Sequence, residues 1–99
     1  MIEILAVDDD RGILEMIRKA LSREGYLVTV LDDPMKLDIS SLGKYQLILL
    51  DVMMPGTDGF SLCREIRDLV DCPIIFLTAK TDEKALMEGL GIGGDDYIT

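Results

Sequence analysis

The stretch Leu47-Ile48-Leu49-Leu50-Asp51 decides the fold, because it places an acidic residue directly after a continuous apolar run. Such a run, of strand length and without alternation, is typical of a parallel strand that is covered on both faces. Two further runs share this design: Ile2–Val7 is followed by the pair Asp8-Asp9, and Pro73–Leu77 is followed by Thr78. Since parallel strands end at the same edge of a sheet, the three carboxylates and the hydroxyl are predicted to converge there.

Amphipathic helical patterns separate these runs. The first lies between Asp10, the predicted N-cap, and Gly25, predicted to stand just past the helix end. A shorter pattern over Ala85–Leu90 predicts a late helix. A central pattern precedes Pro73, and its apolar stripe comprises Phe60, Leu62, Cys63, Ile66, Leu69 and Val70.

Two segments between the first and central helical patterns are less regular. Leu27–Leu31 is apolar but carries a Thr, which indicates an edge strand. Asp33–Lys44 contains Pro34 and Gly43, so any helix there is predicted to be short. The resulting alternation of strands and helices predicts an α/β protein with a parallel sheet, right-handed crossovers and helices on both faces.

Composition narrows the class of protein. The chain has 99 residues, which allows one domain, and a net charge of −9, which argues against nucleic-acid binding by this domain itself. No apolar run approaches the roughly 20 residues that span a membrane, and no secretory leader is evident, so we expect a cytoplasmic protein. Cys63 and Cys72 are predicted to be reduced thiols, and the absence of His argues against a zinc site.

The residues at the predicted strand ends suit divalent-cation and phosphoryl chemistry. Asp8, Asp9 and Asp51 would repel one another, and Mg²⁺ compensates such repulsion because it prefers carboxylate oxygens and water. A carboxylate such as Asp51 can also act as a nucleophile toward phosphorus. Each residue alone has an ordinary alternative: an acidic pair in a solvated loop, an Asp that begins a loop, a structural Thr78, a half-buried Tyr97. Their common position at successive strand ends favours the functional interpretation.

As a set, these residues and their neighbours resemble the receiver domain of two-component response regulators. The segments that carry the resemblance are Ile4–Asp10, Leu49–Gly59 with its Asp51-Val52-Met53-Met54-Pro55 core, Phe76–Lys80 and Gly93–Ile98. The resemblance covers residues 1–99 and implies a flavodoxin-like, doubly wound parallel sheet of strand order 2-1-3-4-5.

The resemblance also implies a role for each site residue. Asp51 would accept a phosphoryl group from a sensor histidine kinase. Mg²⁺ would be held by Asp8, Asp9, Asp51 and the backbone carbonyl of Met53. Thr78 would contact the phosphoryl group, and Tyr97 would act with it as an aromatic switch.

The output is implied by the Asp95-Asp96-Tyr97 ending, which most resembles the subgroup of transcriptional regulators with a winged-helix DNA-binding domain. DNA would then be bound only by an effector domain outside residues 1–99. A homodimer would form through the face of the fourth helix, the fifth strand and the last helix. The family's Lys-Pro pair would fall just past Thr99, so these residues are expected to end within the fifth strand, before the last helix.

Two other functions compete with a phosphorylation switch that is not itself an enzyme. A Mg²⁺-dependent phosphohydrolase with an Asp nucleophile would need a second acid after Asp51, where the chain has Val52-Met53-Met54. A receiver-like binding module that is never phosphorylated would not need the acidic set. Both alternatives are disfavoured by these residues.

Overall fold

The computed structural model describes residues 1–54, 57–77 and 96–98. Within these residues, five parallel strands form one sheet in the order β2-β1-β3-β4-β5, which confirms the predicted fold. The strands are β1 (Glu3–Val7), β2 (Leu27–Leu31), β3 (Leu47–Asp51), β4 (Ile74–Leu77) and β5 (Asp96–Ile98). As predicted, β2 is an edge strand. The helix predicted over Ala85–Leu90 lies outside the described residues.

Two α-helices and three 3-10 helices accompany the sheet in the described ranges. They are α1 (Arg11–Arg23), α2 (Gly59–Ile66) and the 3-10 helices Pro34–Lys36, Ile39–Lys44 and Arg67–Leu69. Met53–Met54 and Thr57–Asp58 pair as a short antiparallel ribbon between β3 and α2. Among these helices, none is long and apolar enough to cross a membrane.

The sheet divides the core into two layers, because successive side chains along each strand point to opposite faces. On the α1 face, Ile4, Ala6 and Leu49 pack with Leu14. The opposite face is larger and is covered by α2 and the residues before β3. Its buried members are Leu5, Val7, Leu42, Tyr45, Ile48, Leu50, Leu62, Cys63, Ile66, Val70, Ile74 and Phe76. Packing against both faces explains why the runs that form β1, β3 and β4 are almost entirely apolar in the sequence.

Both ends of α1 are capped as the sequence predicted. The Asp10 carboxylate accepts hydrogen bonds from the backbone N–H groups of Gly12 and Ile13, at 2.8 and 3.2 Å. Gly25 has a φ of 89°, and its N–H donates to the carbonyl of Ser22 while that of Tyr26 donates to Leu21. This is a Schellman motif, in which glycine adopts a left-handed conformation without a Cβ penalty.

The prediction for one apolar residue of the central helix, Leu69, is wrong. Leu69 was predicted on the buried stripe, but it is 52% exposed. The reason is that α2 ends at Ile66 and continues as a 3-10 turn, whose three residues per turn break the 3.6-residue periodicity. The Arg67 guanidinium then donates to the carbonyls of Val70 and Cys72, at 3.2 and 2.8 Å, which holds the loop before β4.

Candidate metal site at the carboxyl edge of the sheet

Three carboxylates converge where β1 and β3 end. Asp8 and Asp9 follow β1, and Asp51 is the last residue of β3, whose Leu50 pairs with Val7. One oxygen from each of the three carboxylates lies within 4.8 Å of the others. Asp8 is buried, Asp51 is half-buried and Asp9 is exposed, so the cluster opens to solvent on one side. The predicted convergence of these three residues is therefore confirmed.

Backbone hydrogen bonds hold the buried member of the cluster. The N–H of Asp8 donates to the carbonyl of Leu31 at 3.1 Å, which extends the pairing of β1 with β2 by one residue. The Asp8 carboxylate in turn accepts a hydrogen bond from the N–H of Asp10 at 2.9 Å. These bonds turn the chain immediately after β1, so that two consecutive aspartates can serve one site.

Burial and mutual repulsion disfavour negative charge on all three carboxylates at once. Burial raises the pKa of Asp8 above its ordinary value of 3.8, and the adjacent charge of Asp9 acts in the same direction. The N–H of Asp10 and the side chain of Asp51 oppose this shift but do not cancel it. A divalent cation would neutralise the ionised cluster, and its carboxylate oxygens are the ligands that Mg²⁺ prefers. The donor set therefore fits this ion.

A glycine at the start of α2 positions the backbone of Asp51. The N–H of Gly59 donates to the carbonyl of Val52 at 2.9 Å, and the N–H of Val52 donates to Leu77 at 3.1 Å. A Cβ at Gly59 would lie 2.9 Å from the carbonyl carbon of Asp51 and closer still to its oxygen. A glycine at the start of a helix can serve either a positive φ or a close approach of two backbones. The structure selects the close approach.

The remaining predicted site residues are placed less completely. The backbone of Met53 follows the cluster directly and pairs with Asp58 in the short ribbon. The backbone of Tyr97 lies in β5 opposite Phe76, so it occupies the predicted fifth strand. Thr78 lies outside the described residues. The roles of these three residues stay predictions.

Sequence reasoning missed one contact of the site, the hydrogen bond from the Asp10 N–H to Asp8. Asp10 was interpreted as a helix cap, and it is one, but its backbone also contacts the cluster. The signal was present in the three consecutive aspartates, since an N-cap directly after an acidic pair brings its own N–H close to that pair.

The parallel sheet with an acidic site at its carboxyl edge defines an α/β protein of the flavodoxin-like class. Residues 4–99 match the family described as the response regulator receiver domain. The chain belongs to this family.

Comparisons of sequence and of structure both find response regulators that are similar to this chain. The transcriptional regulatory protein SpaR of Bacillus subtilis is 56% identical over 99 residues, which are 100% of this chain and 45% of SpaR. The response regulator TrrA of Thermotoga maritima, crystallised in complex with Mg²⁺-BeF, is 33% identical with a TM-score of 0.85, over 100% of this chain and 86% of that one. DrrB, an OmpR/PhoB homolog from Thermotoga maritima, is 30% identical with a TM-score of 0.87, over 100% of this chain and 45% of DrrB. The chain thus spans less than half the length of SpaR and of DrrB.

Proposed function

We propose that residues 1–99 form a receiver domain that acts as a phosphorylation-driven switch, with Asp51 as the phosphoryl acceptor. The observation that carries this proposal is the convergence of the Asp8, Asp9 and Asp51 carboxylates within 4.8 Å of one another. Family membership supports it, because residues 4–99 match the response regulator receiver domain.

In the proposed reaction, a carboxylate oxygen of Asp51 attacks the phosphorus of a phosphohistidine on a sensor kinase. The new O–P bond forms as the P–N bond breaks, and the electron pair returns to the imidazole nitrogen of the kinase. The half-buried position of Asp51 suits this role, since its backbone is held by neighbouring elements while the cluster opens to solvent. Positioning and charge neutralisation matter more than acid–base assistance in phosphoryl transfer, so the absence of His is no obstacle.

Asp8, Asp9, Asp51 and the backbone carbonyl of Met53 would hold Mg²⁺. When bound, the ion would neutralise charge on the carboxylates and on the transferring phosphoryl oxygens. Support for Mg²⁺ comes from the raised pKa of Asp8, which reflects burial and the adjacent charge of Asp9, and from the Mg²⁺-BeF complex of TrrA.

The switch itself would be a shift between two conformations. The phosphoryl group adds charge at Asp51, and Thr78 would be drawn toward it while Tyr97 reorients. To move the population from about 1:99 to 99:1, phosphorylation must favour the active state by about 5.5 kcal/mol. The face of the fourth helix, the fifth strand and the last helix would read out this state, in a homodimer.

The output would be transcription in the cytoplasm, through a DNA-binding effector domain outside residues 1–99. SpaR is a transcriptional regulatory protein, and DrrB is an OmpR/PhoB homolog. Because its net charge is −9, the receiver domain itself should bind DNA weakly, which is consistent with a separate DNA-binding effector domain.

The test is incubation of the full chain with acetyl phosphate, with and without Mg²⁺, followed by intact mass measurement. We expect one added phosphoryl group that requires Mg²⁺ and that is lost in Asp51→Asn. Asp32→Asn is the matched control, because Asp32 also follows a strand at this edge but is paired with Arg11 at 2.7 Å. Modification of Asp51→Asn at the wild-type level would refute the proposal. Repeated turnover of a phosphomonoester would instead support the hydrolase.

A further inference from the structure

Asp10 links the acidic cluster to α1 through two different parts of the same residue. Its backbone N–H donates to the Asp8 carboxylate at 2.9 Å. Its own carboxylate accepts from the N–H groups of Gly12 and Ile13 at 2.8 and 3.2 Å, and its carbonyl accepts from Leu14 at 3.1 Å. The residue is therefore fixed to the helix by its side chain and carbonyl, and to the cluster by its N–H.

We propose that Asp10 is a positioning residue for the magnesium site, an inference that rests on the proposed function. The cap holds Asp10 at a φ of −90° and a ψ of 105°, which is the conformation in which its N–H reaches Asp8. That hydrogen bond occupies one oxygen of Asp8 and fixes the plane of a carboxylate that is only 3% exposed. Asp8 is then held in the orientation in which it meets Asp9 and Asp51.

The side chain of Asp10 is not itself a ligand in this arrangement. Its Oδ1 accepts both capping bonds, and the described group of carboxylates that could hold an ion consists of Asp8, Asp9 and Asp51. Its negative charge lies against the positive end of the α1 dipole. Its effect on the metal is therefore geometric, and the capping oxygen matters more than the charge.

This distinction makes the inference testable with three substitutions at one position. Asp10→Ala removes the capping oxygen, whereas Asp10→Asn and Asp10→Ser keep a capping acceptor and remove the charge. Groups that orient metal ligands typically change affinity by about 10–100-fold when they are removed. We expect Asp10→Ala to weaken Mg²⁺ binding by about tenfold or more, and the two capping variants to restore affinity to within about threefold of wild type.

A second cap in the chain provides the control for a purely structural effect. Asp38 caps the 3-10 helix Ile39–Lys44, where its carboxylate accepts from the N–H of Ser40 at 3.0 Å. Asp38→Ala should lower the melting temperature by several degrees, as Asp10→Ala should, since both lose a helix cap. Only Asp10→Ala should weaken Mg²⁺ binding.

The measurement is calorimetric titration of Mg²⁺ into the full chain and each variant, with melting temperatures recorded in chelator. Wild-type affinity in Asp10→Ala would overturn the inference and leave the proposed function intact. Equal losses in Asp10→Asn and Asp10→Ala would overturn it too, because the charge would then be the cause. A wild-type chain that binds no Mg²⁺ at millimolar concentration would overturn the proposed function, and this inference with it.

Discussion

Gly59→Ala tests whether the start of α2 positions the acceptor aspartate. The added Cβ would lie 2.9 Å from the carbonyl carbon of Asp51 and 3.2 Å from the Cα of Val52. The Asp51 carbonyl oxygen would lie closer still, so α2 and the end of β3 must separate by roughly 1 Å before this contact is unstrained. All three obstructing atoms belong to the backbone, and they cannot rotate away as a side chain would.

The cost follows from two effects of this separation. Overpacking of this kind costs about 1–3 kcal/mol. Stretching the Gly59 N–H bond to the Val52 carbonyl, now 2.9 Å, adds about 0.5–1.5 kcal/mol. The better helix propensity of Ala recovers up to about 1 kcal/mol. The net loss in the free energy of unfolding is then centred on about 2.5 kcal/mol, or about 10–20 °C in melting temperature for a domain of this size.

Two other glycines serve as matched controls. A Cβ at Gly43 would meet nothing within 4 Å, so Gly43→Ala should be neutral or stabilising by up to about 1 kcal/mol. Gly25 is equally unobstructed but has a φ of 89°, so Gly25→Ala should cost about 1–2 kcal/mol through backbone strain alone. The predicted order of stability is therefore Gly43→Ala, then Gly25→Ala, then Gly59→Ala.

The assay is urea unfolding of the full chain, combined with the rate of phosphorylation by acetyl phosphate. A displacement of up to roughly 1 Å at Asp51 should slow phosphorylation by about 10–100-fold, while Gly25→Ala and Gly43→Ala keep the wild-type rate. The reasoning is refuted if Gly59→Ala unfolds within about 0.5 kcal/mol of wild type, or if it is phosphorylated at the wild-type rate.

Three further predictions concern the acidic cluster, the core and a surface ion pair. In chelator, Asp8→Asn should stabilise the chain by about 0.5–2 kcal/mol at neutral pH, because it removes a buried charge while its amide oxygen still accepts from Asp10. Because the pKa of Asp8 is raised in the folded state, the folded protein binds the Asp8 proton more tightly than the unfolded chain does. The stability of the wild type relative to Asp8→Asn should therefore fall as pH rises from about 3.8 through the folded pKa. A stability difference that stays constant with pH in urea unfolding would contradict this. Leu62 is 5% exposed, so Leu62→Ala should lower the free energy of unfolding by about 2–5 kcal/mol. Leu69 is 52% exposed, so Leu69→Ala should lower it by less than about 1 kcal/mol. Equal losses of the two variants in urea unfolding would contradict the exposed position of Leu69. Asp32→Asn should change stability by less than about 1 kcal/mol, because its Arg11 partner is largely exposed; a larger loss on thermal melting would show that this pair matters more than its exposure suggests.

Much of the fold could be predicted because several local signals agreed. The apolar runs that became β1, β3 and β4 are almost continuous since both faces of the sheet are packed, and a polar residue closes each run. Asp10 and Gly25 marked the ends of α1 through ordinary capping chemistry. The convergence of Asp8 and Asp51 followed from parallel topology alone, because neighbouring strands end at one edge.

Other features depend on tertiary contacts that no local pattern encodes. The switch from α-helix to 3-10 turn after Ile66, which exposes Leu69, accompanies the bonds from Arg67 to the loop carbonyls. The burial of Asp8 beside an exposed Asp9 is set by the turn after β1, and an acidic pair in a sequence does not show which member lies inside. The close approach of Gly59 to the backbone of Asp51 depends on the packing of α2 on β3, which the sequence around Gly59 does not encode.

The segment between β2 and β3 should unfold locally more readily than the sheet it covers. It covers its side of the sheet with two 3-10 helices, and Leu42 is its most deeply buried anchor, at 1% exposure. The hydrogen bonds of these two helices are local, between residues two or three apart, as in Leu37 N–H to Pro34 and Tyr45 N–H to Leu42 at 3.2 and 3.3 Å. Amide hydrogen exchange should therefore be fastest here among the ordered segments of the described chain, through local opening that leaves β1 and β3 paired. Removing the Leu42 side chain should accelerate that exchange without a comparable effect on the amides of α1.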